Sequence, residues 1–122
     1  MKEISPQLQN QIQQYQQLQQ QLQVLGTQRL QLEAKLREVE STLEELSKLP
    51  EKAPVYKSIG VLLVKEEDRE ALKKELEEHK ETLTIRVKSL QKQEKALTER
   101  YEDLANKIQS ALGTTPTPQD SG

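Results

Sequence analysis

Cysteine, tryptophan and phenylalanine are all absent from this chain, and beyond its one histidine the only aromatic rings belong to Tyr15, Tyr56 and Tyr101. Without cysteine there is no disulfide framework and no thiolate metal site, which fits a reducing compartment. The single histidine, His79, lies among Glu and Lys and reads as a solvated helix residue, so no transition-metal ligand set is expected. Apolar residues make up 33% of the sequence, well below the ~45–50% of ordinary globular chains. A compact core of usual size is therefore excluded, and neighbouring chains are expected to supply the missing burial. No apolar run approaches the ~20 residues of a membrane span, and the start MKEISPQLQ lacks a signal peptide's apolar stretch. A soluble, cytoplasmic protein is expected.

The charge balance excludes further classes. A net charge of −2 offers no electrostatic reason to bind nucleic acid or an anionic membrane, and there is no basic stripe with stacking aromatics. No Gly-rich phosphate loop and no catalytic constellation appear. The carboxylates of KEEDREALKKELEEH form a solvated helix face, supported by pairs such as Glu70 and Lys74 at i, i+4. The expectation is a protein that is not an enzyme and needs no cofactor or metal.

Glutamine is what the chain has in excess. The stretch QNQIQQYQQLQQQLQ, residues 9–23, holds ten glutamines in fifteen residues and no charge. Such tracts are commonly disordered, but the spacing of the apolar residues says otherwise. With Leu8 at heptad position a, twelve core positions run to Leu46; ten are apolar, and the exceptions are Gln11 and Arg29. That regularity predicts a coiled-coil helix with its glutamines on the outer faces, where they are good helix formers. Ser5-Pro6 supplies an N-cap and a first-turn proline, and Leu49-Pro50 a stop, giving a helix over about 6–49. Gly26 lies inside it, either a tolerated weak point or a flexing point.

A second helix is expected over about 67–112, acidic at its start. One row, Leu76, Leu83, Leu90, Leu97, Leu104 and Ala111, repeats every seven residues; its companion, Lys73, Lys80, Val87, Glu94, Tyr101 and Ile108, is only half apolar. Both helices would span about 65–70 Å. Equal lengths and a short connection imply an antiparallel pair with Tyr15 and Tyr101 at similar height. Residues 1–112 then form one domain, and the tail from Gly113 to Gly122, GTTPTPQDSG, reads as disordered.

The connector EKAPVYKSIGVLLVKEE carries a strand signal in Val55, Tyr56, Val61, Leu62, Leu63 and Val64. Ser58-Ile59-Gly60 suits a three-residue hairpin loop with Gly60 left-handed, between strands near 54–57 and 61–65. An isolated hairpin with open edges is marginal in water, so Val55, Tyr56, Ile59, Gly60, Val61, Leu62, Leu63 and Val64 are the candidate oligomerisation residues. The fold class is mainly α: a long antiparallel two-helix coiled coil with a short central β-hairpin.

A glutamine-rich heptad helix, then VYKSIGVLLVKEE, then a charged heptad helix, closely resembles the beta class of prefoldin subunits, the archaeal type in particular. The resemblance covers essentially the whole chain. Its most specific part is the VYKSIGVLLVK segment with its single hairpin, since alpha-class subunits insert a second. The resemblance implies a heterohexamer of two alpha-class and four beta-class subunits, with hairpins joined in a β-barrel platform and coiled coils projecting from it. It also implies an ATP-independent holdase that captures non-native proteins and passes them to a group II chaperonin.

Charge patterning suggests how capture would work. Residues 4–28 carry no charged side chain, residues 65–100 carry twenty in thirty-six, and charge vanishes again from Ile108 to Gln119. In an antiparallel hairpin the two neutral segments meet at one end. A charged surface would leave unpaired, desolvated groups against an arbitrary client, whereas a neutral one touches many sequences weakly. Several such tips around one cavity would multiply weak contacts. Ile4, Leu8, Ile12, Tyr15, Tyr101, Ile108 and Leu112 are the candidate client-binding residues, although Leu8, Tyr15 and Ile108 also suit closure of the seam. The competing reading is a coiled-coil scaffold or tether for specific folded partners.

Overall fold

The computed structural model describes residues 4–113; the expected tail beyond Gly113 lies outside them. The elements in chain order are helix α1 (Pro6–Lys48), strand β1 (Tyr56–Ile59), strand β2 (Leu62–Lys65) and helix α2 (Arg69–Ala111). The chain divides into two units. One contains residues to Arg29 together with those from Ser89 onward; the other is Leu30–Lys88, with the hairpin.

Each helix begins where a side chain satisfies an orphan backbone donor. The Leu8 amide donates to Ser5 Oγ at 3.1 Å, with Pro6 in the first helical position, where its missing N–H costs nothing. The Ala71 amide donates to Asp68 Oδ1 at 3.0 Å, so Asp68 caps α2 and adds a negative charge at the positive end of the helix dipole. α1 stops just before Leu49-Pro50. α2 runs out at Gly113, whose φ of 80° suits a residue without Cβ.

The heptad pattern appears directly in burial. All twelve a and d positions of α1 from Leu8 to Leu46, including Gln11 and Arg29, are buried or half-buried. In α2 both rows are covered except at Lys73 and Ala111, which are exposed. In the first unit the two helices run antiparallel, with Tyr15 against Tyr101 and Arg29 against Glu94. In the second unit they are again antiparallel, with Lys80 near Glu40 and Arg69 at the end of α1. Among the described residues only Leu8, Leu18, Val39, Leu46, Leu83 and Val87 are buried apolar residues. Two helices side by side can cover a seam but cannot enclose a core.

The hairpin differs from the three-residue loop expected at Ser58-Ile59-Gly60. Ile59 pairs with Leu62, Ser58 with Leu63, Lys57 with Val64 and Tyr56 with Lys65, leaving a two-residue turn, Gly60-Val61. β1 therefore lies two residues later than expected at each end, Val55 precedes it, and Val61 belongs to the turn. Gly60 has φ 58°, and no residue other than glycine has positive φ among those described. Positive φ at the first central position alone is the type II′ pattern, whose twist matches that of the flanking strands. The turn is set by where glycine falls: Gly60 takes the first of two turn positions, where a three-residue loop would make it the third.

Candidate assembly and binding surfaces

The exposed hairpin is the first candidate surface. Every residue of both strands is exposed except the half-buried Lys57. Val61 is 101% exposed at the turn and Leu63 74% exposed on β2, with Tyr56, Ile59, Leu62 and Val64 also open. Residues paired across the ladder share a face. One face thus carries Tyr56, Ser58, Leu63 and Lys65; the other carries Lys57, Ile59, Leu62 and Val64. Lys57 is drawn to α2, its Nζ lying 3.0 Å and 3.1 Å from the two carboxylate oxygens of Glu75. Both faces present large aliphatic side chains to water.

The ladder also identifies the free edges. The Glu66 amide donates to the Val55 carbonyl at 2.8 Å, so Val55 and Glu66 form a hydrogen-bonded pair. Alternation makes Lys57/Val64 and Ile59/Leu62 bonded pairs too. The main-chain groups of Tyr56 and Ser58 then point outward from β1, and those of Leu63 and Lys65 outward from β2. These are the positions at which a further strand would add.

A clamp from α2 holds the base of this element. The Arg69 guanidinium donates to the carbonyls of Leu46 at 3.0 Å, Pro50 at 2.7 Å and Glu51 at 3.1 Å. The Leu46 carbonyl belongs to the last turn of α1, where a cation also meets the negative end of the helix dipole. Nothing in the residue spacing singled out Arg69, because its partners are backbone atoms about twenty positions away.

The tip candidates do not share one environment. Ile4 and Leu112 are exposed; Ile12, Tyr15, Tyr101 and Ile108 are half-buried; Leu8 is buried in the seam at 7% exposure. Tyr15 and Tyr101 stack with ring centroids 4.5 Å apart and planes at 18°, and the Tyr101 hydroxyl donates to that of Tyr15 at 2.7 Å. That hydrogen bond holds the Tyr101 phenol above its ordinary pKa, with lost hydration and the neighbouring phenol adding to the effect. Further along the same unit, two of the polar interruptions of the seams meet, Arg29 donating through Nε to the Glu94 carboxylate. Arg29 is one of two exceptions in the α1 rows and Glu94 one of three polar members of the α2 companion row, so spacing alone does not pair them.

A two-helix coiled-coil subunit with an unprotected β-hairpin is the class these features define. The prefoldin subunit family model matches residues 9–115. The chain is 52% identical over 112 residues to prefoldin subunit beta of Archaeoglobus fulgidus, covering 92% of this chain and 96% of that one. It is 48% identical to prefoldin subunit beta of Thermoplasma volcanium, covering 83% and 82%. The crystal structure of the prefoldin beta subunit from Thermococcus strain KS-1 superimposes with a TM-score of 0.82 at 40% identity, covering 92% of this chain and 97% of that one. The chain belongs to the archaeal-type prefoldin beta subunits, a family of non-enzymatic chaperone subunits. Among the described residues no helix is long and apolar enough to cross a membrane, and no group of three or more acidic or imidazole side chains is placed to hold a metal ion.

Proposed function

We propose that this chain is the beta subunit of a cytoplasmic, ATP-independent holdase, a hexamer of two alpha-class and four beta-class subunits. The hexamer would capture non-native proteins at the helix ends remote from the hairpins and deliver them to a group II chaperonin. The observation that carries this reading is the division of labour along the chain. The hairpin exposes aliphatic side chains on both faces and unpaired main-chain groups at both edges, which suits it to strand addition between subunits. At the N-terminal end of α1 and the C-terminal end of α2, residues 4–28 and 108–119 are free of charge, with Ile4 and Leu112 exposed. Neutral, partly apolar tips suit weak contact with many sequences, and several arms per complex raise the effective concentration.

The test is suppression of aggregation of several unrelated denatured proteins by the complex with an alpha-class partner, without nucleotide. Protection of all of them supports the holdase reading. Protection of none, together with tight binding of one folded partner, is the behaviour of a tether. Replacing Ile4, Ile12 and Leu112 by Ser is expected to leave assembly intact and weaken protection; undiminished protection would move the client site elsewhere. Delivery is read separately, as transfer of a labelled client to a group II chaperonin.

A further inference from the structure

We propose that one flank of the seam in the unit containing both helix ends is a binding groove for the main chain of an extended, non-native polypeptide. Its hydrogen bonds are made by glutamine side-chain amides. The inference rests on the reading that the protein captures non-native chains, and adds to it the atoms that recognise them.

Two depressions lie along this flank. One, of about 420 Å³, is lined on the α1 side by Ser5, Gln7, Leu8 and Gln11 and on the α2 side by Asn106, Lys107, Ser110 and Ala111. The other, of about 310 Å³, is lined by Gln14, Gln17, Leu18 and Gln21 against Arg100, Asp103, Leu104 and Lys107. Lys107 borders both, so the two form one track. From Gln7 to Gln21 it is ~21 Å long at 1.5 Å per helical residue. That is room for about six residues of extended chain at ~3.4 Å each.

The chemistry of the lining selects the occupant. Buried Leu8 and Leu18 form an apolar floor, and the rim is amide. Among the described residues, none of the five glutamine side chains has a hydrogen-bond partner within the protein. Each offers a donor and an acceptor, the same pair that every non-proline residue of a polypeptide backbone offers. Steps of three or four residues place successive amides ~4.5–6 Å apart. The main-chain groups on one side of an extended strand repeat every ~6.8 Å, and the flexible glutamine stems can take up the difference. The α2 wall adds Arg100, Asp103 and Lys107, a sum of one positive charge, too little for a nucleic-acid backbone. A second coiled-coil helix would require an apolar stripe where this rim is amide. An unfolded backbone is the ligand whose repeating, neutral donor–acceptor pattern fits.

The experiment uses the assembled complex and a short, uncharged, fluorescently labelled extended peptide, alongside the same peptide N-methylated at alternate residues. N-methylation removes main-chain donors and leaves every side chain. The variant is Gln7→Ala/Gln14→Ala/Gln21→Ala, which changes exposed positions only and installs the best helix former. The unmodified complex is expected to bind the parent peptide about tenfold more tightly than the methylated one. The variant is expected to bind both equally, at the weaker level. An effect of only one of the two changes, or of neither, in a complex that still suppresses aggregation overturns the amide groove and leaves the holdase reading standing. A wild-type complex that neither binds the peptide nor suppresses aggregation overturns both.

Discussion

Arg29 and Glu94 show how a defect in a pattern becomes specific when two defects coincide. Each interrupts an apolar row, each is half-buried, and each neutralises the other. Replacing Arg29 by Leu strands the Glu94 carboxylate in a partly dry seam, at about 1–2 kcal/mol once the fraction still in water is discounted. Replacing both is expected to recover that loss, as chemical unfolding at fixed protein concentration would show; equal losses in single and double variants would mean that no pairing energy exists. One turn away, Gly26 leaves room beside the same carboxylate. A Cβ there would lie 3.6 Å from Glu94 Oε2, an ordinary contact, so Gly26→Ala should stabilise by up to about 1 kcal/mol through helix propensity and raise Tm. A fall in Tm would mark Gly26 as a required flexing point. The tyrosine pair gives the pH dependence. Because the folded protein raises the Tyr101 pKa, it favours the protonated phenol. This contribution to stability is fully present below the ordinary value of ~10 and is lost as pH rises through the raised one. Tyr15→Phe keeps a stacked ring but removes the hydrogen-bond partner. Tyrosinate absorbance should then show Tyr101 titrating at lower pH, with a flatter alkaline stability profile.

At the scale of elements, the seam was legible and the joints were not. A period of seven is written in side-chain identity, so the buried a and d positions of α1 could be read from spacing, and equal helix lengths put Tyr15 and Tyr101 at similar height, where they stack. Turn length depends on which residue takes positive φ within the glycine-containing segment. VYKSIGVLLV accommodates two registers, and the observed two-residue turn places Gly60 at the first central position. Contacts between a side chain and distant backbone leave no pattern at all, and so Arg69 went unseen. Its three carbonyl partners make it the joint between the end of α1 and the start of α2. Arg69→Lys retains the cation at the helix end but cannot span all three acceptors. It should lower stability by about 1–2 kcal/mol and speed hydrogen exchange at Glu66, whose amide closes the base of the hairpin. Exchange unchanged at Glu66 would show that the hairpin is anchored by Lys57 and Glu75 instead.

For the whole molecule, assembly turns on whether the hairpin joins its neighbours by main-chain pairing or only by apolar contact, and one residue separates the two. Leu63 has its N–H directed outward from β2, away from the ladder with β1, so proline there removes no bond within the chain. Its side chain lies on the face shared with Tyr56, Ser58 and Lys65, whereas Ile59, Leu62 and Val64 occupy the opposite face. Leu63→Pro therefore deletes an outward donor while retaining an apolar residue, and Leu63→Ala keeps the donor while shrinking the apolar surface. If strands add at this edge, native mass measurement with an alpha-class partner should find Leu63→Pro failing to form the hexamer. Leu63→Ala should form it with reduced stability, losing about 1–2 kcal/mol of burial at each occupied site. Circular dichroism of the isolated Leu63→Pro chain should still report two full helices, since neither seam involves the hairpin. Hexamer formation by Leu63→Pro at wild-type concentrations would show that this edge stays open in the complex. The platform would then be held by packing of the Ile59–Leu62–Val64 face, and Leu62→Asp would be the variant that dissolves it.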